Sequence, residues 1–236
     1  MRLKRFFFSQ PGQPPEPDDL VELDSEQSHQ AIFVLRLTEG VKIELTGPWG
    51  LALGSIEEIN LKPLPTVRVK ILSPFKNTEE TVGPTLALAL IRGPRFDWAV
   101  EKATELGVSS LVPLITARSH PLPQGEAKKT RWLRLSQEAR KQCGRPGPMD
   151  ICEPLPLEEW LLAGLPDEKI LLDPKGPLLT NEFHPSVALL IGPEGGLTED
   201  EKQSARQVGF QPFSLGSITL RAETAALAAL ARLIRR

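Results

Sequence analysis

The chain has 236 residues, of which 40% are apolar, and a net charge of −2, so it can bury one large or two ordinary hydrophobic cores. Its two cysteines, Cys143 and Cys152, are too few for a disulfide framework, and with three scattered histidines they form no recognised metal-ligand spacing. No segment approaches the roughly 20 apolar residues of a membrane span. We therefore expect a cytoplasmic globular protein with no metal and no membrane partner.

The charge is distributed unevenly along the chain. Residues 92–145 contain eleven Lys or Arg against five Asp or Glu, a local net charge of +6, whereas the last 91 residues carry −5. A local excess of Lys and Arg of this kind is typical of a surface that binds phosphate groups. A solvated helix face explains the same charge equally well, so charge alone leaves a nucleic-acid partner open.

The N-terminal part predicts a small β-barrel. Short alternating segments separated by turns with Gly or Pro lie at 41–45, 51–53 and 67–72. Residues 24–29 lead into the run 30–36, and this segment predicts a short helix that ends in a strand-like run. The polar segment 73–84 predicts the junction, so we expect a barrel domain at 1–72 and a second domain at 73–236.

Strands and helices alternate from Thr85 onward, and this order predicts an α/β domain with a parallel sheet. Apolar runs predict strands at 86–91, 110–115, 169–173, 187–191 and 211–215. Helical spacing and capping residues predict helices at 96–106, 126–142, 198–209 and 222–234. Thr198 with Glu201 is a capping-box signature, and Gly209 is expected to end that helix.

Two glycine-bearing turns connect predicted strands to predicted helices. Ile191–Gly196 follows a buried apolar run, and Leu215–Ala225 joins the last strand to the last helix. Gly192–Gly196 in the first turn matches neither a Walker loop nor the dinucleotide fingerprint, so a phosphate-cradling role is not expected. Its backbone groups could instead bind an adenine edge or a ribose at the carboxyl end of the sheet. Either turn alone could be structural, but two could face each other across a pocket.

Arg221 and Glu223 lie at the start of the last predicted helix. The helix dipole favours a carboxylate there, so Glu223 could be an ordinary first-turn residue. Alternatively, Arg221 neutralises an anionic ligand group while Glu223 or Thr224 positions a polar edge of the ligand. Cys143 has the residue type of a nucleophile, but no nearby histidine would activate it.

Six short motifs resemble, in order and spacing, those of one known family. They are Arg2–Phe6, His29 with Val34–Arg36, Glu101–Val108, Gln142–Arg145, Ile191–Gly196, and Leu215-Gly216 with Leu220–Ala225. Together they span essentially the whole chain and resemble the RsmE family of 16S rRNA uridine methyltransferases, within the SPOUT class. The chain departs from the family at Ser217, where proline is usual, at Ile218, where a basic residue is usual at or beside the position, and at Ala222, where threonine is usual.

The resemblance implies a PUA-like β-barrel followed by a SPOUT α/β methyltransferase domain with a trefoil knot. It also implies a homodimer with the active site near the subunit interface, and S-adenosyl-L-methionine as the cofactor. The implied cofactor-binding residues are Leu172, Ile191, Gly192, Pro193, Glu194, Gly195, Gly196, Leu215, Gly216, Ser217, Ile218, Leu220, Thr224 and Ala225, with Asp173 beside Leu172. The implied RNA-binding residues are Arg2, Arg5, His29, Arg36, Lys102, Arg118, Arg140 and Arg145.

The family reaction moves a methyl group to N3 of a uridine in 16S rRNA of the small ribosomal subunit. N3 must lose its proton as the methyl arrives, and the negative charge spreads onto the flanking carbonyl oxygens. Arg221 is the candidate cation, because a guanidinium presents several fixed donors to such oxygens. Glu223, ahead of Glu194, is the candidate proton acceptor, because burial would make a carboxylate a better base.

Other functions stay open. The chain could be a non-catalytic RNA-binding or ribosome-assembly protein of the same fold, in which the residues at 217, 218 and 222 have abolished methyl transfer. It could methylate another RNA site, such as a ribose hydroxyl or a tRNA guanine. A nucleotide-dependent kinase or dehydrogenase is disfavoured by the missing phosphate-binding loop.

Overall fold

The computed structural model describes residues 3–8, 12–47, 49–76, 83–121, 127–145, 147–180, 184 and 186–233. The chain divides into two compact units. The first, which we call the N-terminal unit, consists of Met1–Glu80 and Lys141–Gly147. The second, the α/β unit, consists of Thr81–Arg140 and Pro148–Arg236. The sequence placed Lys141–Gly147 in the second domain, but this segment groups with the N-terminal unit.

A five-stranded sheet forms the N-terminal unit. Its strands are β1 Lys4–Phe7, β2 Leu20–Glu22, β3 Lys42–Gly47, β4 Gly50–Asn60 and β5 Thr66–Ile71. They lie in the order β1-β3-β4-β5-β2, with β1 parallel to β3 and the other pairs antiparallel. Val67, Val69 and Ile71 are fully buried while Arg68 between them is exposed, which is the alternation of a strand with one face on a core. The expected small barrel-like domain is confirmed.

The segment between β2 and β3 differs from the prediction. Helix α1, Ser25–His29, begins at Asp24, whose side chain accepts a hydrogen bond from the N–H of Gln27. A π-helical turn, Gln30–Val34, follows it, so the predicted short helix is confirmed and the strand-like run expected at its end is wrong. Its β-branched and apolar residues suggested a strand, but only Ala31 is buried, and the backbone bonds close within the segment, as from Leu35 N–H to Gln30 C=O.

A parallel sheet forms the centre of the α/β unit, as the sequence predicted. Its strands are β6 Thr85–Ala89, β7 Ser110–Ile115, β8 Asp150–Ile151, β9 Leu155–Pro156, β10 Glu168–Leu172, β11 Val187–Ile191 and β12 Gln211–Phe213. The order is β12-β10-β11-β6-β7-β8, and β9 also pairs with β7. Every residue of β11 is buried, because helices cover both faces of the sheet.

Five helices lie wholly or mainly in this unit. They are α2 Gly93–Glu105, α3 Ala127–Cys143, α4 Leu157–Leu161, α5 Glu199–Gln207 and α6 Ala222–Leu233. Helices α2 and α6 pack together and share a core with Trp132 of α3, whereas Trp160 of α4 and Ala205 of α5 belong to a second core. The predicted helices are present, but α4 and the two-residue strands β8 and β9 were not predicted, since they are too short to show a period.

The ends of α2 and α5 follow from local sequence. Pro94 lies in the first turn of α2, where its missing N–H costs nothing. Helix α5 begins with the predicted capping box, because Thr198 accepts from the N–H of Glu201 and Glu201 accepts from the N–H of Thr198. Gly209 follows the helix at φ +98°, a conformation that favours glycine.

The fold class expected from the sequence is confirmed.

Candidate functional site

A cavity of about 170 Å³ lies at the carboxyl ends of β10, β11 and β12. Parallel strands all end at the same edge of a sheet, so the turns that follow them converge there. The lining residues are Leu172, Asp173, Pro174, Ile191, Gly192, Pro193, Glu194, Gly196, Leu197, Lys202, Phe213, Ser214, Leu215, Gly216, Ile218, Thr219, Leu220, Ala222 and Ala225. The two glycine-bearing turns therefore line one cavity.

Most residues expected to bind the cofactor line this cavity, but Gly195, Ser217 and Thr224 do not. Ser217 and Thr224 are exposed, and the C=O of Gly195 accepts a hydrogen bond from Arg118 at 2.8 Å. Sequence reasoning missed several lining residues, namely Pro174, Leu197, Lys202, Phe213 and Ser214, whereas Thr219 and Ala222 lie in the predicted turn Leu215–Ala225. Lys202 lies in the second turn of α5, where no motif marked it.

The Ile191–Gly196 turn requires glycine at two positions for different reasons. A Cβ at Gly192 would lie 2.9 Å from the backbone nitrogen of Leu197 and 3.0 Å from its Cγ. Gly196 has φ +68°, and its N–H donates to Pro193 C=O at 2.8 Å. A Cβ at Gly195 would meet only the flexible Arg118 side chain, at 3.4 Å. The turn thus closes tightly on itself and leaves its backbone at the cavity wall.

A buried ion pair supplies the charged part of the wall. Asp173 is 3% exposed, and its Oδ2 lies 3.0 Å from Lys202 Nζ and 3.8 Å from Arg206. Burial alone raises the pKa of Asp173, but hydrogen bonds from Lys175 N–H and Lys202, with the nearby positive charges, outweigh it and leave that pKa below its ordinary value. Asp173 is therefore a carboxylate at neutral pH.

Arg95, at the start of α2, connects two acidic residues of this region. Its Nη1 lies 3.1 Å from Glu194 Oε1, and its Nε lies 3.6 Å from Glu223 Oε1. Glu194 lines the cavity, whereas the Glu223 side chain is buried and its Oε2 has no hydrogen-bond partner among the described residues. The sequence placed Arg95 in the basic region but gave it no role.

The two residues expected to act in catalysis lie beside the cavity and do not line it. Arg221 directly precedes α6 and is exposed, and its side chain makes no hydrogen bond or ion pair within the described part of the chain. Its C=O accepts from Ala225 N–H at 2.8 Å, which starts the helix. The neighbours Leu220 and Ala222 line the cavity, so Arg221 lies at its edge.

Of the residues expected to face RNA, His29 and Arg36 are exposed on the N-terminal unit. The His29 ring lies 4.8 Å from the ring of Phe33, which is half exposed. Arg36 has φ +51°, an uncommon conformation for a residue with a Cβ. These side chains present a cation and aromatic rings to solvent. Arg2 lies outside the described residues.

Three other residues of this set have partners within the chain. Arg5 donates from Nε and Nη2 to Glu44 at 2.9 and 2.7 Å. Lys102 lies 2.7 Å from both Glu101 and Glu105, and these hydrogen bonds raise its pKa. Arg118 is exposed but donates to the C=O of Gly195. An RNA phosphate would have to compete with these partners.

Arg140 and Arg145 are buried, contrary to the surface position that the RNA-binding expectation requires. Arg140 is 3% exposed and Arg145 is 7% exposed. Burial lowers the pKa of Arg145 to about 10, which still leaves its guanidinium charged at neutral pH. A guanidinium inside the chain cannot reach a phosphate outside it, so both expectations require correction.

The described residues contain no group of three or more His, Cys, Asp or Glu that could hold a metal ion. In that same part of the chain, no helix is long and apolar enough to cross a bilayer.

Comparison with known sequences identifies relatives of the chain. The family model of the RNA methyltransferase domain matches residues 78–234. A ribosomal RNA small subunit methyltransferase E of Aquifex aeolicus is 38% identical over 138 residues, which are 55% of this chain and 58% of that protein. The enzyme of the same name from a Synechocystis species is 32% identical over 235 residues, covering 92% of this chain and 75% of that protein.

Solved structures agree with these relatives over nearly the whole chain. A Legionella pneumophila protein described as a methyltransferase, in complex with SAM, is 33% identical with a TM-score of 0.85, and covers 98% of this chain and 96% of its own. A ribosomal RNA small subunit methyltransferase E from Neisseria gonorrhoeae, bound to S-adenosyl methionine, is 26% identical with a TM-score of 0.82 and the same coverage. This chain belongs to the ribosomal RNA small subunit methyltransferase E (RsmE) family of RNA methyltransferases.

Proposed function

We propose that this protein transfers a methyl group from S-adenosyl-L-methionine to N3 of a uridine in the 16S rRNA of the small ribosomal subunit. The observation that carries the proposal is the cavity at the carboxyl ends of β10, β11 and β12, lined by two glycine-bearing turns, in a chain of the RsmE family. The relatives are named ribosomal RNA small subunit methyltransferases, which supports 16S rRNA as the substrate. Two similar solved structures contain bound SAM, which supports S-adenosyl-L-methionine as the cofactor.

The residues of the cavity fit this cofactor. Leu172 and Ile191 supply apolar surface for an adenine ring, while Gly192 leaves backbone groups available to the polar edge of a ligand. Asp173 and Lys202 place charges of both signs in the same wall, suited to hydroxyl, amino and carboxylate groups. The cofactor supplies an electrophilic methyl group on a sulfonium sulfur.

Arg221 is the residue that we propose to stabilise the uridinate. Its exposed side chain extends from the edge of the cavity and makes no competing ion pair within the described residues. When N3 loses its proton, the negative charge lies partly on the two flanking carbonyl oxygens. The guanidinium can donate to such oxygens with a fixed geometry.

The proton acceptor is better assigned to Glu194 than to Glu223. Glu194 lines the cavity, and its side chain is 32% exposed. The side chain of Glu223 is 8% exposed and lies beside Arg95. The N3 atom of a uridine in the cavity would therefore not reach Glu223 without a rearrangement. This reverses the order expected from the sequence, which assumed that burial would favour Glu223.

RNA binding is proposed for the N-terminal unit through His29, Phe33 and Arg36. The two rings offer faces for an unstacked base, and Arg36 offers a charge to the phosphate backbone. The base must leave its stack before N3 can be methylated, so a surface that holds single-stranded RNA serves the reaction.

We also propose a homodimer and a cytoplasmic location. Ile218 is 78% exposed at the cavity, although it is apolar, and a second subunit would cover it. An active site near the subunit interface, as the resemblance implies, would account for this position. The cytoplasm is where a bacterial small ribosomal subunit meets such an enzyme.

The experiment incubates the purified protein with labelled S-adenosyl-L-methionine and small ribosomal subunits that lack the modification, followed by nucleoside mass spectrometry. Recovery of 3-methyluridine supports the proposal. Another methylated nucleoside would favour methylation of a different RNA site. Cofactor binding without transfer would favour a different RNA substrate, and no cofactor binding would favour the non-catalytic RNA-binding protein.

A further inference from the structure

Arg95 holds together two segments that the sequence separates widely. It lies in the first turn of α2 and reaches Glu194 in the turn after β11 and Glu223 in the first turn of α6. Glu194 lines the cavity directly. Ala222 and Ala225, on either side of Glu223 in sequence, line it as well. One guanidinium thus contacts both turns that form the cavity.

The charges around Arg95 favour an arginine at this position. Glu223 is buried and ionisable, and Arg95 is the cation paired with it among the described residues. A buried charge without a partner is strongly unfavourable, so the Arg95 side chain is held in place by Glu223. Its Nη1 is then directed at Glu194. A guanidinium can bond through two different nitrogens in a fixed plane, whereas a lysine ammonium is a point charge.

We propose that Arg95 is a positioning residue for the cofactor cavity. It fixes the distance between the turn Ile191–Gly196 and the start of α6, so that both turns meet the cofactor without reordering. The inference rests on the proposed function for the identity of the ligand. It does not require Arg95 to touch the ligand, since Arg95 acts through Glu194 and Glu223.

A simpler role must be separated from this one, because Arg95 could serve only to neutralise a buried carboxylate. The two roles differ in the double variant Arg95→Ala with Glu223→Gln. Arg95→Ala alone leaves Glu223 unpaired and should lower the melting temperature by roughly 5 °C or more. Glu223→Gln removes the buried charge but keeps a side-chain oxygen that can accept a hydrogen bond from Arg95, so Arg95 still contacts both turns in this variant. The double variant should regain most of the lost melting temperature.

The deciding measurement is S-adenosyl-L-methionine affinity by titration calorimetry, with wild type, Arg95→Ala, Glu223→Gln and the double variant. If Arg95 positions the turns, the Kd of the double variant stays about tenfold above that of Glu223→Gln, although the melting temperature has recovered. Arg95→Lys should give an intermediate Kd. If the Kd of the double variant instead recovers together with its melting temperature, Arg95 serves only to neutralise the Glu223 charge, and the proposal is overturned.

Hydrogen exchange of the ligand-free protein gives a test that needs no cofactor. In the double variant, amides of Ile191–Gly196 and of the first turn of α6 should exchange faster than in Glu223→Gln. Unchanged exchange in both segments would overturn the proposal even if the enzyme is active. Conversely, wild-type protein that methylates no RNA would refute the proposed function, while the exchange data would still decide the role of Arg95.

The matched control is Arg68→Ala. Arg68 lies in the N-terminal unit and also contacts two glutamates, with Glu58 at 3.2 Å and Glu22 at 3.5 Å. Its side chain is half exposed, and neither partner is buried, so its removal leaves no unpaired buried charge. Cofactor affinity and exchange in the two turns should match the wild type. A loss equal to that of Arg95→Ala would count against the specific role of Arg95.

Discussion

Glu201, in the first turn of α5, accepts a hydrogen bond from the backbone N–H of Ala117 at 2.7 Å, although the two residues are 84 positions apart. The other carboxylate oxygen accepts from Thr198 N–H, also at 2.7 Å. Ala117 follows β7, and Thr198 follows the turn Ile191–Gly196. Nearby, Arg118 donates to the C=O of Gly195. The loops after β7 and β11 are therefore joined at two points beside the cavity.

Glu201→Ala should lower the free energy of unfolding by about 3 kcal/mol, because two backbone donors lose a charged acceptor. Denaturant unfolding measures the change. Glu199→Ala is the control, since Glu199 is in the same turn but its side chain is 75% exposed and, among the described residues, pairs with Lys202 alone. That change should cost less than about 0.5 kcal/mol. Equal effects of the two substitutions would contradict the role given to Glu201.

Gly192→Ala should destabilise the chain by roughly 1–3 kcal/mol and weaken cofactor binding, because the new methyl would lie 2.9 Å from the Leu197 backbone nitrogen. Thermal unfolding and cofactor titration measure both effects. Gly195→Ala, in the same turn, should be tolerated, since its methyl would meet only the movable Arg118 side chain at 3.4 Å. If Gly195→Ala were the more harmful change, the close approach at Gly192 would not be the limiting feature of the turn.

Much of the α/β unit was predictable because its signals are local. The capping box of Thr198 and Glu201 and the apolar run of β11 each specify an element within a few residues. The convergence of the two turns followed from the parallel sheet. The pairing of Arg95 with Glu194 spans 99 positions, and no local pattern records such a contact. The ion pairs of Arg95 with Glu194 and Glu223 could therefore be found only in the structure.

The burial of Arg140 could have been predicted from its position along helix α3. Trp132, Ser136, Ala139 and Arg140 are all buried, and they recur at helical spacing along α3. Arg140 thus belongs to the buried stripe of the helix. The resemblance to the family placed Arg140 among the RNA-binding residues, and the net charge of residues 92–145 agreed with it, but neither considers which face of the helix a residue occupies. Position on the helix would have been the better guide.

Asp173→Asn should change how stability depends on pH. The pKa of Asp173 is below its ordinary value of 3.8, so its carboxylate stabilises the folded state above that value. This contribution is lost as the pH falls from about 4 through the lowered pKa. The stability difference between wild type and Asp173→Asn should therefore be largest near neutral pH and shrink below pH of about 4. Denaturant unfolding at several pH values measures it.

Asp167→Asn is the control for this experiment, because Asp167 is exposed just before β10 and has no hydrogen bond or ion pair within the described residues. Its stability should differ little from that of the wild type, because the substitution removes no contact within the described residues. A constant difference for Asp173→Asn across the same range would mean that its ionisation is not what stabilises the fold.

Arg221→Ala should reduce turnover by about 100-fold or more, while cofactor affinity changes little, because the charge it stabilises exists only during the reaction. Single-turnover methyl transfer and cofactor titration separate the two effects. Arg221→Lys should retain part of the rate through its charge. Arg68→Ala should leave the rate unchanged. An equal loss of affinity and rate in Arg221→Ala would instead place Arg221 in cofactor binding.

Arg36→Gly should stabilise the protein while weakening its RNA binding. Arg36 has φ +51°, which costs a residue with a Cβ about 1–2 kcal/mol, whereas glycine adopts it freely. The gain is partly offset by the larger entropy of an unfolded glycine, so a net increase of up to about 1 kcal/mol is expected by denaturant unfolding. Loss of the charge should weaken RNA binding and reduce the salt dependence by about one phosphate contact.

Arg36→Ala separates the two effects, because it removes the charge but keeps the Cβ that causes the strain. It should lose RNA affinity as much as Arg36→Gly without gaining stability. The strained backbone at Arg36 would then lower the stability of the fold, while the arginine at this position contributes to RNA binding. If both variants bind RNA like the wild type, Arg36 does not contact the substrate. If Arg36→Gly is less stable than Arg36→Ala, the backbone at this position is not strained.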